Sequence, residues 1–130
     1  LYELPDMQSE IVRGQESNNQ YEEAVKLYNE KLYSQARAIL NSLILAEPEV
    51  VQYQYYAALT YLGEENWAES KEKLTPIVEG HSVFKDEAKY YLAVSLEKLG
   101  NKQEAIALLK TIPAQGQLGE KAQQLLKKLD

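Results

Sequence analysis

A chain of 130 residues, 45% hydrophobic and 26% charged, has the make-up of one folded domain that can bury a core without disulfide or metal staples. With no cysteine and a single histidine, His81, it excludes thiolate zinc sites, thiol catalysis and any two-histidine metal centre. A net charge of −6 gains nothing from counterion release on nucleic acid, and no apolar run approaches the roughly 20 residues of a membrane helix.

The first residue is Leu1 rather than Met, so the sequence is expected to be a processed or trimmed piece, with room upstream for a signal, an anchor or a membrane helix. Residues 1–16 carry the apolar side chains Leu1, Tyr2, Leu4, Met7, Ile11 and Val12, while Pro5 blocks a long helix. They form either a linker or an arm that packs on the rest of the chain. The apolar content favours the arm, because a free linker is normally more polar. Beyond them, apolar residues recur at helical spacing and predict helices over 17–30, 34–47, 50–62, 67–79, 84–99 and 102–111. A seventh, amphipathic helix over 117–130 carries Leu118, Ala122, Leu125, Leu126 and Leu129 in a lysine-rich frame. Asn101 is placed to cap a helix start, with Glu104 as its reciprocal partner, and Asn66 with Glu69 repeats the arrangement. Pro48 and Pro113 fall just past helix ends, where proline is tolerated, whereas Pro76 should kink or shorten the fourth helix.

The helices come in pairs, and the pairs repeat. Ala24, Ala58 and Ala93 are spaced by 34 and 35 residues. The same two spacings relate Ala36, Ser70 and Ala105; Leu40, Leu74 and Leu109; Leu43, Ile77 and Ile112; and Tyr21, Tyr55 and Tyr90. Five columns in one register define three units of helix, turn and helix. The chain then divides into an arm or linker at 1–16, units at 17–50, 51–85 and 86–114, and a terminal helix at 115–130.

This period, with small residues at two fixed places and a large one between the helices, resembles the tetratricopeptide repeat. On that pattern Ala24, Ala58 and Ala93 hold the small eighth position, and Ala36, Ser70 and Ala105 the small twentieth. The aromatic seventeenth position holds Tyr33 and Trp67 but Lys102 in the third unit, and the late proline is present only as Pro48. Larger side chains at the small sites would push the paired helices apart. The resemblance covers residues 17–112. It implies an all-α, right-handed superhelix of three helix-turn-helix hairpins, closed by a C-terminal capping helix over the apolar end of the stack. Some members grip a chaperone's C-terminal carboxylate with Lys and Asn. Tyr21 and Val25, then Tyr55 and Leu59, stand at those positions here, so a co-chaperone role is not implied. The lead-in with Pro5 and Arg13-Gly14 is similar to that of repeat modules following a membrane helix in some bacterial cell-envelope proteins. This leaves a periplasmic or other extracytoplasmic placement and a cytoplasmic one both open.

Candidate chemistry is sparse. His81 follows Gly80 in a loop with only Glu79 near it, and reads as a surface histidine. Glu22-Glu23, Glu64-Glu65 and Glu47 with Glu49 read as solvated helix ends, since no calcium-loop pattern accompanies them. No phosphate-cradling glycine loop or nucleophile elbow is present. The chain is therefore expected to be no enzyme and to take no cofactor, metal or small-molecule substrate. Residues 1–80 hold 14 acidic and 6 basic residues, net −8, and residues 81–130 hold 6 and 8, net +2. The acidic part is either a solvated surface or a guide for a basic partner.

The ten tyrosines, against one Phe and one Trp, are the most distinctive feature. In the repeat geometry the first helices of successive units line a concave groove. The positions on that face are Tyr21, Val25 and Tyr28, then Tyr55, Leu59 and Leu62, then Tyr90, Val94 and Glu97. The core-facing positions are instead Glu23, Ala24 and Leu27, then Ala57, Ala58 and Tyr61, then Leu92, Ala93 and Leu96. An aromatic and aliphatic stripe on an exposed face suggests a protein-binding surface, unless the arm or strong curvature covers it. If it is exposed, truncating Tyr55 or Tyr90 should cost little stability, unlike truncating Leu74 in the core. The reading is a protein–protein interaction module, an adaptor or scaffold presenting this groove to a peptide or protein. The alternative is a structural spacer or self-association module of a larger, membrane-anchored protein.

Overall fold

Helical spacing along almost the whole chain becomes seven α-helices in the computed structural model, which describes residues 3–7 and 15–130. They are α1 (Gln15–Asn29), α2 (Tyr33–Ala46), α3 (Val51–Gly63), α4 (Trp67–Glu79), α5 (Lys85–Lys98), α6 (Lys102–Leu109) and α7 (Gly116–Leu129). The described residues contain no strand. Leu1, Tyr2, Ile11, Val12 and the Arg13-Gly14 pair lie outside them.

The five sequence columns are the interior of the molecule. All fifteen residues are buried, none more than 5% exposed. The helices cluster into two compact units, one ending at Asn66 and one beginning at Trp67. The division falls between α3 and α4, inside the second of the three expected repeats.

In the first unit α2 packs on both α1 and α3. Arg37 on α2 reaches α3, where one guanidinium nitrogen donates to the Thr60 hydroxyl at 3.1 Å and to Glu64 at 2.8 Å. The guanidinium lies 4.0 Å from the centre of the Tyr61 ring. Tyr33, the large residue that opens α2, seats its ring on Gly63, where any β-carbon would fall 2.5 Å from a ring carbon. A side chain at position 63 would therefore force the Tyr33 ring to shift.

In the second unit α5 is packed by α4, α6 and α7. The α4–α5 crossing is close because it is made by two serines, whose hydroxyls lie 2.5 Å apart at Ser70 and Ser95. Each hydroxyl also reaches a carbonyl of its own helix, at Trp67 and Tyr91, so neither buried oxygen is stranded. The apolar stripe of α7 turns inward through Ala122, Leu126 and Leu129. Its start passes so close to the preceding turn that only Gly119 fits, since a β-carbon there would overlap the Ala114 carbonyl.

The first helix of each expected repeat ends in one recurring turn. Lys31, Glu65 and Gly100 share positive φ angles of 66°, 61° and 89°. The next amide reaches back five residues each time: Leu32 to Leu27 at 2.9 Å, Asn66 to Tyr61 at 2.9 Å, and Asn101 to Leu96 at 2.8 Å. This is the left-handed closure of a helix, free for glycine but costing an L side chain about 1–2 kcal/mol.

Two local expectations, a shortened α4 and a side-chain cap from Asn101, are corrected. Pro76 does not shorten α4, which continues to Glu79. The Thr75 hydroxyl, one residue before it, donates to the Lys71 carbonyl at 2.7 Å and adds a polar contact where the ladder loses a donor. Asn101 stands at the N-cap of α6 but makes no side-chain cap bond. Its backbone is committed instead to closing the preceding helix.

The glycine at 119 supplies a test. Gly119→Ala should destabilise by about 1–3 kcal/mol, because the clash is with backbone that cannot rotate away. Thermal melts followed by circular dichroism should show a clear drop in midpoint, whereas an unchanged midpoint would mean that α7 does not approach Ala114 this closely.

Candidate protein-binding site

The exposure expected of the tyrosine and aliphatic stripe is corrected by the structure. Tyr21, Val25, Tyr28, Tyr55, Leu59, Leu62, Tyr90 and Val94 are all buried, at 9% exposure or less. The expected core face is shifted too: Glu23 is exposed, and Leu27 and Tyr61 are half-buried, while Ala24, Ala57, Ala58, Leu92, Ala93 and Leu96 are buried as expected. Glu97 is half-buried. The physical reason is clearest in α3 and α5, which are enclosed on most sides. Eight of the thirteen residues of α3 are buried, and eight of the fourteen of α5, so neither keeps a broad open face.

In the first unit the tyrosines of α1 meet those of α3 and the turn. Tyr21 and Tyr53 have ring centres 5.7 Å apart, and Gln52 donates to the Tyr21 hydroxyl at 2.5 Å. Tyr28 is met edge-on by Tyr33 at 5.6 Å and by Tyr56 at 5.5 Å, geometries that favour ring edges against ring faces. Burial, reinforced by the nearby Tyr56, holds the Tyr21 phenol well above its ordinary value of 10.0, with the Gln52 hydrogen bond pulling the other way. Burial also raises Tyr33.

Residues 3–7 lie beside this aromatic cluster. The Met7 amide donates to Asn29 Oδ1 at 3.0 Å, and the Tyr56 hydroxyl donates to the Asp6 carbonyl at 3.4 Å. Met7 is 4% exposed, Leu4 and Pro5 are half-buried, and Glu3 and Asp6 are exposed. A cavity of about 630 Å³ remains between residues 3–6 and Tyr28, Asn29, Tyr33 and Gly63. The described part of the arm therefore packs rather than hanging free. Asn29 was missed in the sequence because it is a lone polar residue at a helix end with no partner pattern.

In the second unit Tyr90 and Tyr91 meet at right angles, 5.1 Å between centres. Lys121 from α7 lies 4.9 Å above Tyr90 and donates to the Tyr91 hydroxyl at 3.3 Å. Burial raises the Tyr90 phenol. His81 is exposed, as are Glu22, Glu23, Glu49, Glu64 and Glu65, while Glu47 accepts from the Tyr53 hydroxyl at 3.2 Å. Among the described residues no three His, Cys, Asp or Glu side chains gather where a metal ion could sit, and no helix is long and apolar enough to cross a membrane.

Residues 87–115 match the family model of the tetratricopeptide repeat. The match spans α5, α6 and the turn after them, in the register expected for the third unit, so this stretch is a tetratricopeptide repeat. It is the unit with Lys102 at the aromatic position. No curated protein and no solved structure matches the chain.

The burial of the stripe can be measured in two ways. Tyr55→Ala and Tyr90→Ala should each cost about 3–5 kcal/mol, comparable with Leu74→Ala and not the mild loss of an exposed tyrosine. Urea unfolding of the three variants checks this, and a midpoint for Tyr55→Ala close to the parent would contradict its burial. The raised Tyr21 phenol also sets a pH dependence. The folded state holds this proton more tightly than the unfolded state, so its contribution is complete below pH 10.0 and is lost as pH rises above it. Unfolding midpoints measured on raising the pH past that value should fall less steeply in Tyr21→Phe than in the parent.

Proposed function

We propose that the chain is a non-catalytic protein–protein interaction module, an adaptor or scaffold part whose partner is a protein or an extended peptide. The tetratricopeptide repeat of α5 and α6 carries this reading, since repeats of that kind serve protein association. The side chains support it. His81, Glu22, Glu23, Glu49, Glu64 and Glu65 are exposed with no nucleophile positioned beside them, and the phenols with raised proton affinity sit in packed aromatic clusters.

The tyrosine-lined groove enters this proposal in altered form. Tyr28, Tyr33 and Tyr56 offer ring edges and a hydroxyl around the seat of residues 3–7, and that seat is where we expect a peptide to dock. Rigid aromatic walls lose little entropy on binding, which suits them to such a surface. The test is a titration of the full chain against an array of unrelated dodecapeptides, followed by fluorescence anisotropy. Saturable binding by a subset, with the chain remaining monomeric in a sedimentation concentration series, is the expected result. No peptide binding together with a concentration-dependent gain in mass would replace the proposal with self-association.

A further inference from the structure

Residues 3–7 are held by main-chain hydrogen bonds and one buried side chain. Two polar contacts that fasten them use main-chain groups, the Met7 amide on Asn29 and the Asp6 carbonyl on Tyr56. Every peptide carries those groups, so these two contacts read no sequence. The one deeply buried side chain is Met7, an unbranched thioether that adapts to irregular pockets without demanding a fixed shape. Glu3 and Asp6 face solvent. The segment has no helix or strand, in keeping with Pro5 at its centre. The seat is also incompletely filled, since the cavity of about 630 Å³ beside the segment is of the size that holds small ligands or large side chains.

From these observations we infer that the seat on α1 and α3 is an exchangeable peptide site, occupied in this structure by the chain's own residues 3–7. The displacing partner is an extended segment of another protein with a flexible apolar side chain in the place of Met7. Its main chain takes over the contacts to Asn29 and Tyr56, and a bulkier neighbouring side chain enters the open cavity. This inference rests on reading the chain as a protein-binding module and assigns that function its place and its resting state. A tethered arm competes at a high effective concentration, so the filled site binds a free peptide more weakly than the empty one does.

The test uses the full chain and a fluorescein-labelled peptide of its own residues 1–12. Met7→Asp puts a charge at a buried position and should release the arm. The Met7→Asp chain should bind the labelled peptide at least about tenfold more tightly than the parent chain does. A peptide carrying Met7→Asp should fail to bind, and adding Asn29→Ala to the chain should weaken binding. Equal binding by parent and variant, or none by either while circular dichroism shows both folded, overturns the inference. Met7→Ala, which shortens the anchor without adding charge, should give a smaller gain in the same direction. Loss of helix in both variants would also overturn it, because an arm whose release unfolds the chain cannot be exchanged. Failure with the chain's own peptide but binding of array peptides removes this inference alone. Binding of the chain's own peptide with no response from any array peptide removes the wider reading of a protein-binding module.

Discussion

The fold depends on α3 and α5 being buried on most of their circumference. A helix so enclosed needs small residues where neighbours cross and large ones where they stand apart. Alanine and serine take the first role at Ala58, Ala93, Ser70 and Ser95, and tyrosine takes much of the second. Tyrosine in place of phenylalanine has a physical logic here. Its ring fills the interior while its hydroxyl emerges where a polar group can reach it: Gln52 for Tyr21, Glu47 for Tyr53, the Asp6 carbonyl for Tyr56 and Lys121 for Tyr91. The aromatic clusters are thus stitched at their edges by hydrogen bonds between different elements, which fixes how the helices rotate against one another as well as how closely they approach.

Helix positions were legible because apolar spacing and repeat period agree along the chain, and the bounds of the seven helices fall within two residues of those expected. The faces were less legible. The column of Tyr21, Tyr55 and Tyr90 shares its register with four columns of core residues, a sign that it belongs inside with them. A helical wheel shows one face as open only if the helix has neighbours on one side, and α5 has three. The recurring left-handed turns were visible at Gly100 alone. At Lys31 and Glu65 the same backbone is imposed on residues with no preference for it, by the back-bonds to Leu27 and Tyr61 and by the packing on either side. Gly119 and Asn29 were illegible for a related reason. What matters at each is a backbone some distance along the chain, and nothing local announces that it is near.

The function proposed rests on a repeat type, and the docking place rests on what already lies there. Most surfaces of the described helices carry charged and polar residues, while the region beside Tyr28 and Tyr56 receives a stretch of chain with no regular structure. A surface that accepts main-chain groups and a single flexible apolar side chain imposes few conditions on its occupant. If the seat exchanges its occupant as proposed, breadth of partners would follow from that economy, and affinity would come mostly from how much of the open cavity a given partner fills.

Met7 is the only methionine in the chain. A protein grown with methyl-labelled methionine would therefore give a single methyl resonance, from the side chain that anchors residues 3–7 against the helices. Buried in the fold, that methyl should resonate away from the position it takes in solvent. One resolved signal would thus count the docked and released populations directly, at any temperature or partner concentration, without a reporter group being attached to the protein.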